Sequence, residues 1–174
     1  DPDATLLNQA SMFELAQVVG RKLREVIQSN SDSGQTADSS FHATLILGGQ
    51  IKGDEPRIFM VYAEGNFIEV TNDNPFFQIG ETKYGRPILV RAFDPDMNFE
   101  DAVKLLMVSF DSTIKANLSV GPPLDLNIYE LDSYAPTKTL KITPENAYFQ
   151  MVSREWGQAL KESLYSLPKF NFDE

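Results

Sequence analysis

The chain has 174 residues, 42% of them hydrophobic and 23% charged, which is enough for one folded domain and unlike a disordered tail or a fibrous repeat. Twenty-five Asp and Glu stand against fifteen Lys and Arg, a net charge of −10. Such a surface attracts neither phosphate backbones nor anionic lipid, so neither nucleic acid nor a membrane is an expected partner. With no Cys and a single His, a disulfide framework, a thiolate zinc site, an iron-sulfur cluster, a cysteine nucleophile and a two-histidine metal site are excluded. No apolar run reaches the roughly 18 residues of a membrane helix and no signal-peptide pattern is present, so the chain reads as cytoplasmic.

In chain order, Ser11 and Glu14 have capping-box spacing, and Leu15, Val18, Val19, Leu23 and Val26 share one face, which predicts a helix over about residues 12–28. The polar stretch 29–40 reads as an exposed loop. Four β signals follow, His42–Gly49, Arg57–Tyr62, Asn66–Thr71 and Phe76–Gly80, separated by turn-forming clusters at 53–56, 64–65 and 72–75. They predict an antiparallel meander whose nearly continuous apolar runs, Ile46-Leu47 and Ile58 to Val61, call for cover on both faces.

A short helix is expected over about 82–92, weakened by Gly85 and Pro87. A longer one starts at the cap Asn98, with Glu100 and Asp101 in its first turn, and ends before Pro122-Pro123. Leu124, Leu126 and Ile128 alternate with polar residues as a half-buried strand, and Thr137–Ile142 gives another. Thr143 with Pro144 predicts the start of a last helix running to about Tyr165. The order helix, four strands, two helices, two strands, helix fits an α+β layered sandwich within a single domain, residues 1–174.

The chemistry-bearing candidates are few. His42 lacks a G-x-S-x-G elbow or a motif partner and reads as structural. Neither a P-loop nor G-x-G-x-x-G occurs, so no cofactor is expected. Asp94-x-Asp96-x-Asn98 imitates the start of a calcium loop, but Phe99 and Leu105 stand where glycine and glutamate belong, so it reads as a helix cap and no metal is expected. Trp156, with Tyr148, Met151 and Val152 at helical spacing, reads as core or subunit contact.

Four segments, Gly48-Gly49-Gln50-Ile51-Lys52-Gly53, Glu64-Gly65-Asn66-Phe67-Ile68-Glu69, Gln78-Ile79-Gly80-Glu81-Thr82-Lys83-Tyr84-Gly85 and Asn117-Leu118-Ser119-Val120-Gly121-Pro122-Pro123, occur in that order. Together they resemble Anbu, the bacterial proteasome-like family named for an ancestral beta subunit, over nearly the whole chain. The resemblance implies a four-layer αββα sandwich of the N-terminal nucleophile hydrolase class, in which the free amine of a terminal threonine assists its own hydroxyl. It implies a homo-oligomer, as a ring or an open helical ring, acting on a peptide or amide substrate. The sequence opens with Asp1-Pro2-Asp3-Ala4-Thr5, so the resemblance places the nucleophile, its activating lysine and aspartate, the opening strands and the first helix upstream, about 70 residues in all. The 174 residues alone are therefore expected to have no hydrolytic activity.

Two peripheral positions carry over from the resemblance. Gly80 is followed by Glu81 where the class has a serine. After the long helix, Asn117, Ser119 and Gly121 stand where the class has an aspartate, a serine and a glycine. Ser119 can hold a terminal amine through one hydrogen bond and Asn117 can orient it, but neither brings negative charge. Asp111 and Asp125 are the nearest acidic residues in sequence. A non-catalytic structural subunit of a similar assembly, or a small binding domain of the same fold, are the alternatives.

Overall fold

The computed structural model describes residues 5–31 and 42–172. Part of the polar stretch 29–40 and part of the opening five residues lie outside them. After a single 3-10 turn, Leu6–Asn8, the elements are α1 (Met12–Ser31), β1 (Leu45–Gly49), β2 (Arg57–Val61), β3 (Phe67–Glu69), α2 (Arg86–Ala92), α3 (Phe99–Ala116), β4 (Leu124–Tyr129), β5 (Pro136–Ile142) and α4 (Ala147–Ser166). By internal contacts the chain divides into two compact units. One takes the residues up to Ile79 with Tyr129–Thr137, and the other takes Gly80–Ile128 with the residues from Lys138 onward.

In the first unit, Ser11 Oγ accepts from Glu14 N at 3.2 Å and the Glu14 carboxylate reaches back to Ala10 N at 3.0 Å, so the predicted cap starts α1, one residue looser than the ideal reciprocal box. The helix buries Met12, Ala16, Val18 and Leu23, while Val26, expected on that face, is exposed. It lies on the antiparallel sheet β1-β2-β3. The register pairs Leu47 with Phe59 and Phe59 with Glu69, which puts Leu47, Phe59, Val61 and Phe67 on one face. That face packs under Met12 and Ala16, and Phe67 stands edge-on to Phe13 and Phe59 at 5.2 and 5.5 Å between centroids. α1 crosses the sheet closely because a Cβ on Gly20 would collide with the Gly65 carbonyl oxygen. Gly65 sits in the β2-β3 turn at φ +87°, where its N–H donates to Tyr62 O at 2.9 Å.

Three expectations change here. The opposite sheet face, with Ile46, Ile58 and Ile68, is exposed rather than covered by described residues. The third strand shrinks to Phe67–Glu69. The segment Phe76–Gly80 forms no strand; it follows the Asn72-Asp73 turn, which closes on itself through the Thr71–Asn74 bridge.

The second unit is built on α3, capped as predicted by Asn98 Oδ1, which accepts from Asp101 N at 2.8 Å. Met107 packs with Ile142, Phe149 and Val152, joining α3, β5 and α4 in one apolar cluster. β4 and β5 form the second sheet. α4 begins at Ala147, not beside Thr143: the Thr143 carbonyl accepts from Asn146 N at 3.0 Å in a turn, and Asn146 Oδ1 then caps Phe149 N at 2.9 Å. Val152 is core, Tyr148 is exposed, and Trp156 is only partly buried. Among the described residues no helix is long and apolar enough to cross a membrane.

Candidate active-site periphery

α3 ends at Ala116, and the Asn117 N–H donates to Thr113 O at 2.8 Å, so the position of residue 117 is set by the last turn of the helix. Asn117 Oδ1 then accepts twice, from Ser119 N at 2.9 Å and from Ser119 Oγ at 2.7 Å. On the other side, Asn117 Nδ2 donates to Glu81 Oε2 at 2.9 Å. An ionised carboxylate only accepts, so the NH2 end of the amide must face Glu81 and the oxygen must face Ser119. The carboxylate therefore fixes the amide, and the amide fixes the hydroxyl.

Glu81 is itself held. Gly80 adopts φ +78°, a turn that strains any L-residue, and directly after it Glu81 Oε1 accepts from Lys83 N at 2.9 Å. That backbone N–H first, and the Asn117 amide second, hold the Glu81 carboxyl below the ordinary glutamate range. The loop carrying Glu81 is clamped to α3 by Gly85. A Cβ there would collide with Ser109 Oγ and lie 2.9 Å from Thr113 Oγ1, both on buried residues of α3.

The structure thus brings together Glu81, Asn117 and Ser119, three residues named from sequence, and places Gly80 beside them. Gly121 is exposed with open space around it and takes no part in the hydrogen-bonded chain. The acidic residues suggested by sequence proximity are engaged elsewhere: Asp111 accepts from Lys115 Nζ at 2.9 Å, and Asp125 lies 3.8 Å from Lys141 Nζ. His42 is exposed three residues ahead of β1. Gly85, read from sequence only as a weakness in a helix, is the close-approach residue; a glycine inside an otherwise helical pattern was the available signal.

Chemically, the Ser119 hydroxyl proton is committed to Asn117, so the Oγ lone pairs are free to accept from an N–H. The carboxylate two hydrogen bonds away polarises the chain toward a cationic donor. That is the environment for an amine or ammonium.

The proteasome subunit family matches residues 13–127. Over 99% of its length the chain superposes on 71% of Anbu from Yersinia bercovieri with a TM-score of 0.89 and 44% identity. The chain belongs to the Anbu family of proteasome-like beta subunits. Anbu from Hyphomicrobium sp. strain MC1 matches 98% of the chain and 70% of its own at a TM-score of 0.87 and 44% identity. The Pseudomonas aeruginosa protein, described as a helical assembly of the Anbu complex, matches 95% of the chain and 68% of its own at 0.86 and 40%. Comparison with curated proteins finds none that matches. The α+β arrangement of helices over antiparallel sheets is accordingly the proteasome-type fold.

Proposed function

We propose that this Anbu chain serves a self-assembling, proteasome-like threonine-type amide hydrolase, acting on peptide or amide substrates. In this reading residues 1–174 form one proteasome-like domain, and Ser119 Oγ accepts from the amine of a reacting threonine that these residues do not supply. Thr5 does not serve, since it precedes a 3-10 turn instead of opening a strand. The observation that carries the reading is the Glu81–Asn117–Ser119 chain. It provides an oriented acceptor and, through the amide, the negative charge that residue 117 lacks. The free amine is then the base that takes the threonine hydroxyl proton, and Ser119 holds that amine in place as it becomes an ammonium. Subunits assemble with one another as an open helical ring, in keeping with the helical assembly described for the Pseudomonas aeruginosa protein.

The test is Ser119→Ala in the full-length subunit bearing its terminal threonine. The expected result is a fall in kcat/KM of about tenfold or more with little change in Tm, since a hydrogen bond to a charged group is worth about 1.5–3 kcal/mol. Equal turnover in variant and parent would remove Ser119 from the mechanism. Absence of turnover in the parent on small peptide amides would favour a structural subunit.

A further inference from the structure

The Glu81–Asn117 contact is a junction at which donor and acceptor can change places with every neighbouring bond kept. Glu81 Oε1 accepts from Lys83 N at 2.9 Å, and Asn117 Oδ1 accepts from Ser119 N and Ser119 Oγ at 2.9 and 2.7 Å. A glutamine at position 81 would still accept from Lys83 N with its oxygen while its NH2 donated across the junction. An aspartate at position 117 would accept that bond with one oxygen and both Ser119 bonds with the other. Two versions of the same hydrogen-bond pattern are therefore open to these positions, and they differ in where the negative charge sits. This chain keeps it at residue 81, one side chain back from Ser119, and presents a neutral amide oxygen to the hydroxyl.

The surroundings of Glu81 do not cancel that charge. On its own loop Lys83 attracts it, chiefly through the backbone N–H and less through the ammonium. From the end of α3 the neutral Asn117 reaches it. The last ion pair of that helix, Asp111 with Lys115, is closed on itself, and Lys115 turns also to Ser153 O on α4. An amine near a carboxylate holds its proton more firmly, and the effect weakens with distance. Charge at residue 117 would bias an amine on Ser119 toward the ammonium and so withhold the base at neutral pH. Charge at residue 81 still steadies the ammonium formed on proton transfer, while it weighs less on the resting amine.

We infer that Glu81 is a positioning residue whose charge, carried to Ser119 through Asn117 and held one side chain away, sets the pH above which the threonine amine serves as base. This rests on the reading that Ser119 Oγ accepts from that amine, and it names the residue that tunes it.

The test is the titration of the terminal amine, followed by ¹³C NMR of labelled threonine in the full-length subunit, a measurement that needs no turnover. In Glu81→Gln the midpoint should fall by about 0.3–0.5 pH unit, because the charge is gone. In Glu81→Gln/Asn117→Asp it should rise above the parent's by about as much, because the charge has moved nearer. Where the subunit turns over small peptide amides, the rising limb of kcat/KM against pH should follow, lower in the single variant and higher in the double. A merely structural Glu81 would change Tm and leave the midpoint where it was. Ser119→Ala tells the two levels apart. A midpoint that shifts in Ser119→Ala but in neither Glu81 variant overturns the inference alone, and one that stays fixed in all three overturns the underlying reading as well. A double variant whose midpoint does not exceed the parent's also overturns the inference. Should the double variant fail to fold, Glu81→Gln decides by itself, and a midpoint at or above the parent's overturns it.

Discussion

Asn117 Nδ2 donates to Glu81 Oε2 at 2.9 Å across 36 residues of sequence, joining the turn that ends α3 to the loop that leads into α2. The bond makes a neutral amide behave as the extension of a carboxylate. A serine that would otherwise be an ordinary helix-stop residue becomes an oriented acceptor.

Glu81 should therefore titrate below free glutamate. Because its folded pKa lies under its unfolded value, its contribution to stability is present above the ordinary glutamate pKa and is lost as pH falls through the lowered one. Carboxyl ¹³C NMR titration measures this directly. In Asn117→Ala the Glu81 pKa should move back up, though not fully, because the Lys83 N–H remains. A pKa unchanged by that substitution would mean that the amide does not reach the carboxylate in solution.

Gly85→Ala should destabilise the second unit by about 1–3 kcal/mol, because the added methyl meets Ser109 Oγ and Thr113 Oγ1 and comes within 3.1 Å of the Ser109 backbone oxygen. Its sharper consequence is local. The loop carrying Glu81 must lift from α3, so the Glu81 titration should shift upward along with the loss in Tm, and a Tm loss alone would show that Gly85 only packs.

Gly20→Ala should be among the most damaging single-methyl changes in the first unit. The new Cβ would strike the backbone oxygen of Gly65, which no rotamer change can relieve. A loss of about 2 kcal/mol or more is expected in urea unfolding, whereas Gly157→Ala, with open space around it, should leave stability unchanged or raise it by up to about 1 kcal/mol.

The start of α4 offers a paired test. Asn146→Ala removes the side-chain cap on Phe149 N and should cost about 1 kcal/mol, while Thr143→Ala should stay within about 0.5 kcal/mol. The reverse order would restore Thr143 as the cap.

What could be read from sequence was local. The Asn98 cap and the Ser11–Glu14 pairing involve residues three apart, and both formed where the spacing put them. The Thr143-Pro144 signal failed because a second capping residue, Asn146, followed within one turn and propensity does not choose between two adjacent caps. Phe76–Gly80 has strand-like residues but joins neither sheet, and sheet membership is decided by the neighbours as much as by the segment. The site divides the same way. The resemblance supplied Glu81, Asn117 and Ser119 as separate positions, but no spacing rule links residue 81 to residue 117. Sequence proximity pointed instead to Asp111 and Asp125, each of which lies beside a lysine of its own.

The exposed face of the three-stranded sheet has a consequence for handling the protein. Ile46, Ile58 and Ile68 lie on three adjacent strands with 40–45% of each residue open to solvent, forming a cohesive patch on a molecule whose net charge is −10. Copies of this chain repel one another at long range and adhere at short range. Dilute buffer, in which the repulsion extends over about 30 Å, keeps such molecules dispersed; at about 1 M salt it shrinks to about 3 Å, and the isoleucine patch then governs colloidal behaviour.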